Sequence, residues 1–224
     1  MRRLFILRPE PGASATVESA RALGLEAVAL PLFAIEPLDW EAPEASGFDG
    51  LLLTSANAVR QAGDQLHALR GLPVHAVGEA TAEAAREAGF DIASTGEAGV
   101  ARLLGSIERD LRLLHLCGEH RTAVEAAQAV TAVPVYRSAE LPAPAGVARI
   151  AGQTVAVHSP RAGRRLAELV DQAGIARRTI RIAAISEAAV AATGGGWEAC
   201  EAAAAPDDGA LLALAARLCD CYGR

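Results

Sequence analysis

Short apolar runs recur along the chain, separated by segments rich in Ala, Leu, Glu and Arg. The runs predict strands over 3–7 (RLFIL), 26–35 (EAVALPLFAI), 49–53 (DGLLL), 73–77 (PVHAV), 112–116 (RLLHL), 153–157 (QTVAV) and 180–185 (IRIAAI). Apolar residues follow one another in them without polar alternation, the pattern of strands covered on both faces. The intervening segments predict helices over 12–23, 55–69, 79–88, 98–107, 120–129, 160–173, 186–193 and 208–219. Strands alternating with helices build parallel sheets, so the expected fold class is α/β, with parallel sheets flanked by helices.

The strands end in small, polar or helix-capping residues: LRPEPGA from Leu7, LTSANA from Leu53, VGEATA from Val77, LCGEHRTA from Leu116, HSPRAG from His158 and ISEAAV from Ile185. In open α/β sheets, ligands bind at these carboxyl ends. A helix starting there offers unpaired N–H groups and the positive end of its dipole, which suits an anionic ligand.

Two junctions recur. LTSANAV (Leu53 to Val59) is similar to HSPRAG (His158 to Gly163), and VGEATAEAA (Val77 to Ala85) to ISEAAVAA (Ile185 to Ala192). Ser55 and Gly78 are 23 residues apart, Ser159 and Ser186 are 27 apart, and a repeat at similar spacing predicts two sister domains. Residues 31–43 and 133–146 carry three prolines each and read as two antiparallel extended crossings between such domains.

Composition narrows the chemistry. All 21 basic residues are arginine, so Schiff-base catalysis on lysine and the P-loop are both excluded. A net charge of −6 argues against a general nucleic-acid binder. No GxSxG turn marks an α/β hydrolase. Cys117, Cys200, Cys219 and Cys221 form no CxxC pair and read as reduced thiols, with no metal site expected. No segment approaches the roughly 20 apolar residues of a membrane span. The opening MRRLFILRPEPG is interrupted by Arg8, Pro9 and Glu10 and reads as a buried strand rather than a signal peptide, so the expected location is cytoplasmic.

LTSANAV at 53–59, AVGEATAEAAREAGF at 76–90, LCGEHR at 116–121, VPVYRSAEL at 133–141 and HSPRAG at 158–163 together resemble the uroporphyrinogen-III synthase family, and Arg8-Pro9 after the first strand fits it too. The likeness runs over nearly the whole chain. It implies two similar α/β lobes joined by a two-strand connector, with the active site in the interdomain cleft. One domain would be discontinuous, 1–36 plus 142–224, the other an insertion, 37–134, with 135–141 as a connecting strand. The reaction implied is cyclisation of hydroxymethylbilane with loss of water and inversion of ring D. The resemblance also implies no cofactor, a monomer, and at most transient contact with the upstream hydroxymethylbilane synthase. A second reading, a non-catalytic two-lobed binder of a small anionic ligand, predicts the same strand-end crevices without a special tyrosine.

Tyr136 matches the family's tyrosine in the VYRS segment and is the candidate acid or orienting group at the departing hydroxyl. Thr54, Ser55, Thr81 and Ser159 are candidate substrate-binding hydroxyls that also suit helix capping. Gly78 and Gly118 would let backbone approach a ligand closely. Arg8 and Arg121 are candidates for substrate carboxylates, with ordinary salt bridges as the alternative. Some family members have a Gly-Pro-Thr-Thr type turn where this chain has Ser186, Glu187, Ala188 and Ala189, so only Ser186 stands in for a hydroxyl there.

Overall fold

The computed structural model describes residues 2–96, 99–120 and 125–220. It divides into two units, residues 1–34 with 140–224 and residues 35–139.

In the first unit, β1 (Leu4–Ile6), β2 (Ala27–Ala29), β9 (Thr154–Val157), β10 (Arg181–Ala184) and β11 (Ala199–Ala202) form a wholly parallel sheet in the order β11-β10-β9-β1-β2. Strand alternation divides its core in two. Leu4, Ile6, Ala156 and Ala183 pack with α1 (Gly12–Ala22) and α7 (Asp208–Asp220). Phe5, Val155, Val157 and Ile182 pack with α5 (Pro160–Gln172) and α6 (Glu187–Thr193). Both faces are therefore dry, which is why the strands read as unbroken apolar runs.

In the second unit the order is β3-β8-β7-β4-β5-β6, from β3 (Phe33–Pro37), β4 (Gly50–Leu53), β5 (Val74–Val77), β6 (Ile92–Gly96), β7 (Arg112–Gly118) and β8 (Ala129–Glu140). Leu51, Leu53, Val74 and Leu114 pack with α2 (Ala56–Gln61) and α3 (Glu79–Glu87), while Leu52 and Leu113 pack with α4 (Val100–Gly105). The runs β4-α2-β5-α3-β6 and β9-α5-β10-α6-β11 repeat one pattern, each with its three strands adjacent and parallel. The duplicated junctions of the sequence open equivalent helices in the two units. Leu38 N–H donates to the Val135 carbonyl and Leu141 N–H to that of Leu32, so the two crossings run antiparallel.

Some sequence expectations are corrected. The strand expected over 26–35 is two strands in two sheets, because Pro31 has no N–H and the chain turns there. The helix expected over 55–69 is α-helical only to Gln61, and Gly63, at φ +63°, starts a 3₁₀ segment to Leu69. No helix forms over 125–128, and β8 begins at Ala129, while residues 121–124 lie outside the described residues. The buried Gln128 amide donates to the carbonyls of Leu104 and Glu108 at 2.9 and 2.8 Å, holding the chain as it enters β8. Among the described residues, no helix is long and apolar enough to cross a membrane.

Candidate functional site

In the inserted unit the strand order brings Ser55, Gly78 and Gly118 to the carboxyl ends of neighbouring parallel strands, with Tyr136 beside Gly118. Leu53 pairs with Leu116 on one side and Ala76 on the other. Ser55 and Gly78 follow the adjacent strands β4 and β5, Gly118 ends β7 on the other side of β4, and Gly118 pairs with Tyr136. Ser55 caps α2, its hydroxyl accepting from the Asn57 N–H at 3.2 Å. Gly78 opens α3 at φ +83°, a conformation that a residue with a Cβ rarely adopts. Thr81 is buried in the first turn of α3, with little surface to offer a ligand. Thr54 bonds to Nε2 of the buried His115 at 3.1 Å, a partner that the scattered histidines of the sequence did not reveal.

Tyr136 owes its place to an irregularity. Cys117 pairs with Pro134 and Gly118 with Tyr136, so Val135 is an extra residue in β8. Such bulges are rare between parallel strands and re-aim the side chains that follow. The tyrosine ring lies against Gly118, where an added Cβ would come within 2.9 Å of Cζ and 3.1 Å of the hydroxyl. The Tyr136 hydroxyl bonds to no described residue and is not buried, so it remains available to a ligand.

In the discontinuous unit, Arg8, Ser159 and Ser186 follow the adjacent strands β1, β9 and β10. Ser159 accepts from the Ala162 N–H at 3.1 Å, and Pro160 fills the first turn of α5, where a missing N–H costs nothing. Ser186 accepts more loosely from Ala189, at 3.3 Å. Each cap contributes about 1 kcal/mol whether or not a ligand binds.

Arg8 is not isolated. Its Nη1 donates to both oxygens of Asp208, at 3.0 and 2.8 Å, and to Thr16 Oγ1 at 3.2 Å. The Thr16 hydroxyl donates to Asp208 Oδ2 at 2.7 Å, and His158 Nε2 lies 3.4 Å from Oδ1. Burial raises the Asp208 pKa, but His158, the Thr16 hydrogen bond and the Arg8 charge outweigh it and hold the carboxyl at about 2. His158 belongs to a motif that the sequence singled out, whereas nothing local marks Asp208, which arrives from 200 residues away. Arg121 lies outside the described residues.

The depressed Asp208 pKa has a definite sign. The carboxylate stabilises the folded state above its ordinary 3.8 and loses that contribution as pH falls through about 2. Asp49, also held at about 2 by its hydrogen bonds from Arg112, titrates in the same window. Thermal melts stepped through that window are expected to show a flatter pH dependence for Asp208→Asn than for wild type; equal slopes would show that Asp208 contributes nothing there.

Burial pushes the thiols of Cys200 and Cys219 up, which makes them poor nucleophiles at neutral pH. Among the described residues no cluster of His, Cys, Asp or Glu could hold a metal ion.

A family model described as uroporphyrinogen-III synthase HemD matches residues 14–213. The chain is similar to the crystal structure of uroporphyrinogen-III synthetase from Helicobacter pylori 26695, with 17% identity and a TM-score of 0.66 over 97% of this chain and 100% of that one. It is also similar to a mutant uroporphyrinogen III synthase from the extremely thermophilic bacterium Thermus thermophilus, with 21% identity and a TM-score of 0.54 over 97% and 98% of the two chains. At such identities the likeness shows a shared α/β fold. No curated protein sequence matches the chain significantly.

Proposed function

Because the chain belongs to the uroporphyrinogen-III synthase family, we propose that it cyclises hydroxymethylbilane to uroporphyrinogen III, with loss of water and inversion of ring D. The observation that carries this reading is the family match over residues 14–213, supported by the grouping of Ser55, Gly78 and Gly118 at the carboxyl ends of adjacent strands, with Tyr136 paired to Gly118. We further propose that the protein works as a monomer in the cytoplasm without metal or organic cofactor.

The chemistry asks little covalent work of the protein. A pyrrole nitrogen pushes out the hydroxyl of the linear substrate, leaving an azafulvene cation. The substituted carbon of ring D attacks that cation first, giving a spirocyclic pyrrolenine that rearranges to the inverted ring. Oxidation state is unchanged from substrate to product, so no redox partner is needed. The protein must assist departure of hydroxide, hold the chain in the folded conformation and keep water from the cation. The free Tyr136 hydroxyl suits the first task, as a hydrogen-bond donor to the departing oxygen. The substrate's carboxylates suit unpaired N–H groups at strand-to-helix junctions, which bind anions without a basic surface. That reconciles an acidic protein with a polyanionic substrate.

The test is the product isomer. Incubated with freshly made hydroxymethylbilane and no added cofactor, the protein is expected to yield the type III isomer. Closure only to the type I isomer, which forms spontaneously, would sink the proposal.

A further inference from the structure

Arg8 meets its neighbours with one nitrogen only. Nη1 carries both bonds to Asp208 and the bond to Thr16. Nε and Nη2 form the edge of the guanidinium that can grip a carboxylate through two parallel N–H bonds. Among the described residues these two nitrogens have no acceptor, and neither is buried. The group also lies against the first residue of α1, where a Cβ on Gly12 would come within 2.6 Å of Nε and 3.0 Å of Nη2. One edge of Arg8 is thus clamped, while the Nε–Nη2 edge, beside Gly12, is left without an acceptor among the described residues, at the carboxyl end of an interior strand where α/β sheets bind ligands.

The clamp is itself braced. Thr16 is buried and bonds to both Arg8 and Asp208. The His158 side chain is 8% exposed, with Nε2 3.4 Å from Oδ1 of Asp208, close enough for a charge interaction, although neither ring nitrogen makes a hydrogen bond. A long side chain held in one geometry before binding gives up less freedom when a ligand arrives.

We propose that Asp208 and Thr16, backed by His158, are positioning residues that present the Nε–Nη2 edge of Arg8 to one side-chain carboxylate of the linear tetrapyrrole. The inference rests on the reaction proposed above. Asp208 offsets much of the Arg8 charge, so the site selects by the planar geometry of the fork rather than by bulk attraction. That is the discrimination an acidic protein needs if it is to hold one carboxylate in register.

Steady-state kinetics with hydroxymethylbilane, with the product isomer checked for each variant, tests it. Arg8→Ala and Arg8→Lys are both expected to raise KM about tenfold or more with kcat within about twofold, because lysine restores the charge but not the fork. Asp208→Asn is expected to raise KM roughly three- to tenfold alone and to add almost nothing in the Arg8→Ala background, since it acts through Arg8. A purely structural Asp208 would cost the same in both backgrounds. If Asp208→Asn does not fold, Thr16→Val carries the same comparison. An unchanged KM in Arg8→Ala, full recovery in Arg8→Lys, or a lowered KM in Asp208→Asn would each overturn the proposal. Wild-type protein that yields only the type I isomer would instead remove the reaction on which it rests.

Discussion

The Tyr136→Phe variant is expected to turn hydroxymethylbilane over roughly 30- to 1,000-fold more slowly than wild type, the equivalent of about 2–4 kcal/mol for one lost donor to a developing oxyanion. Its melting temperature should barely move. The substitution keeps the ring that packs over Gly118, and it removes a hydroxyl with no partner among the described residues. Activity should not vanish, because the substrate supplies its own nucleophile and the remaining contacts still fold the chain. A loss of only about 1 kcal/mol would mean that the phenol orients substrate through an ordinary hydrogen bond. A wild-type rate in a folded Phe variant would leave backbone positioning as the main source of catalysis. The measurement is single-turnover kinetics on the two proteins, with matched thermal melts.

Phe5→Ala is expected to cost about 3–5 kcal/mol of stability, the usual loss for a large aromatic removed from a close-packed core. Phe5 is fully buried in the middle of β1, on the face that packs against α5, and Arg149 lies over its ring at 5.8 Å. Its neighbours Val155 and Ile182 are fixed by the parallel ladder and cannot collapse far into the vacancy. In a chain of this size the loss corresponds to a melting temperature lower by roughly 6–20 °C. Leu23→Ala is the control: that side chain is 61% exposed, so its truncation should stay within about 0.5 kcal/mol. A Phe5→Ala shift no larger than the control's would show that the core relaxes far more freely than its packing implies.

The α/β class and most of the central strands were legible because those strands are buried on both faces and read as plain apolar runs. The strands that were missed are the edge strands β6 and β11 and the interior strand β8. β6, IASTG, is the edge strand of its sheet and alternates between half-buried and exposed positions, so its hydrophobicity never rises above that of a loop. β8 was legible as an extended crossing but not as a ladder partner of β7, because Pro134 argues against a strand interior and the bulge that admits it is written in no local pattern. The site divides the same way. Ser55, Gly78 and Ser159 announce themselves as junction residues. Asp208 does not, since its role comes from tertiary contact with Arg8, Thr16 and His158 across most of the chain.

The insertion of residues 35–139 sets an order on assembly at the ribosome. β1 and β2 emerge first, yet Leu4 pairs with Thr154, on the far side of the inserted unit. At roughly 5–20 residues per second, about 8–30 s separate the synthesis of those two partners. Through that interval β1 can pair with β2 on one edge, but its other, apolar edge has no partner, while the strands of the inserted sheet are made one after another and are complete before β9 is. The unit that begins second along the chain is therefore the first able to finish, and the nascent polypeptide is most exposed to misassociation just before β9 appears.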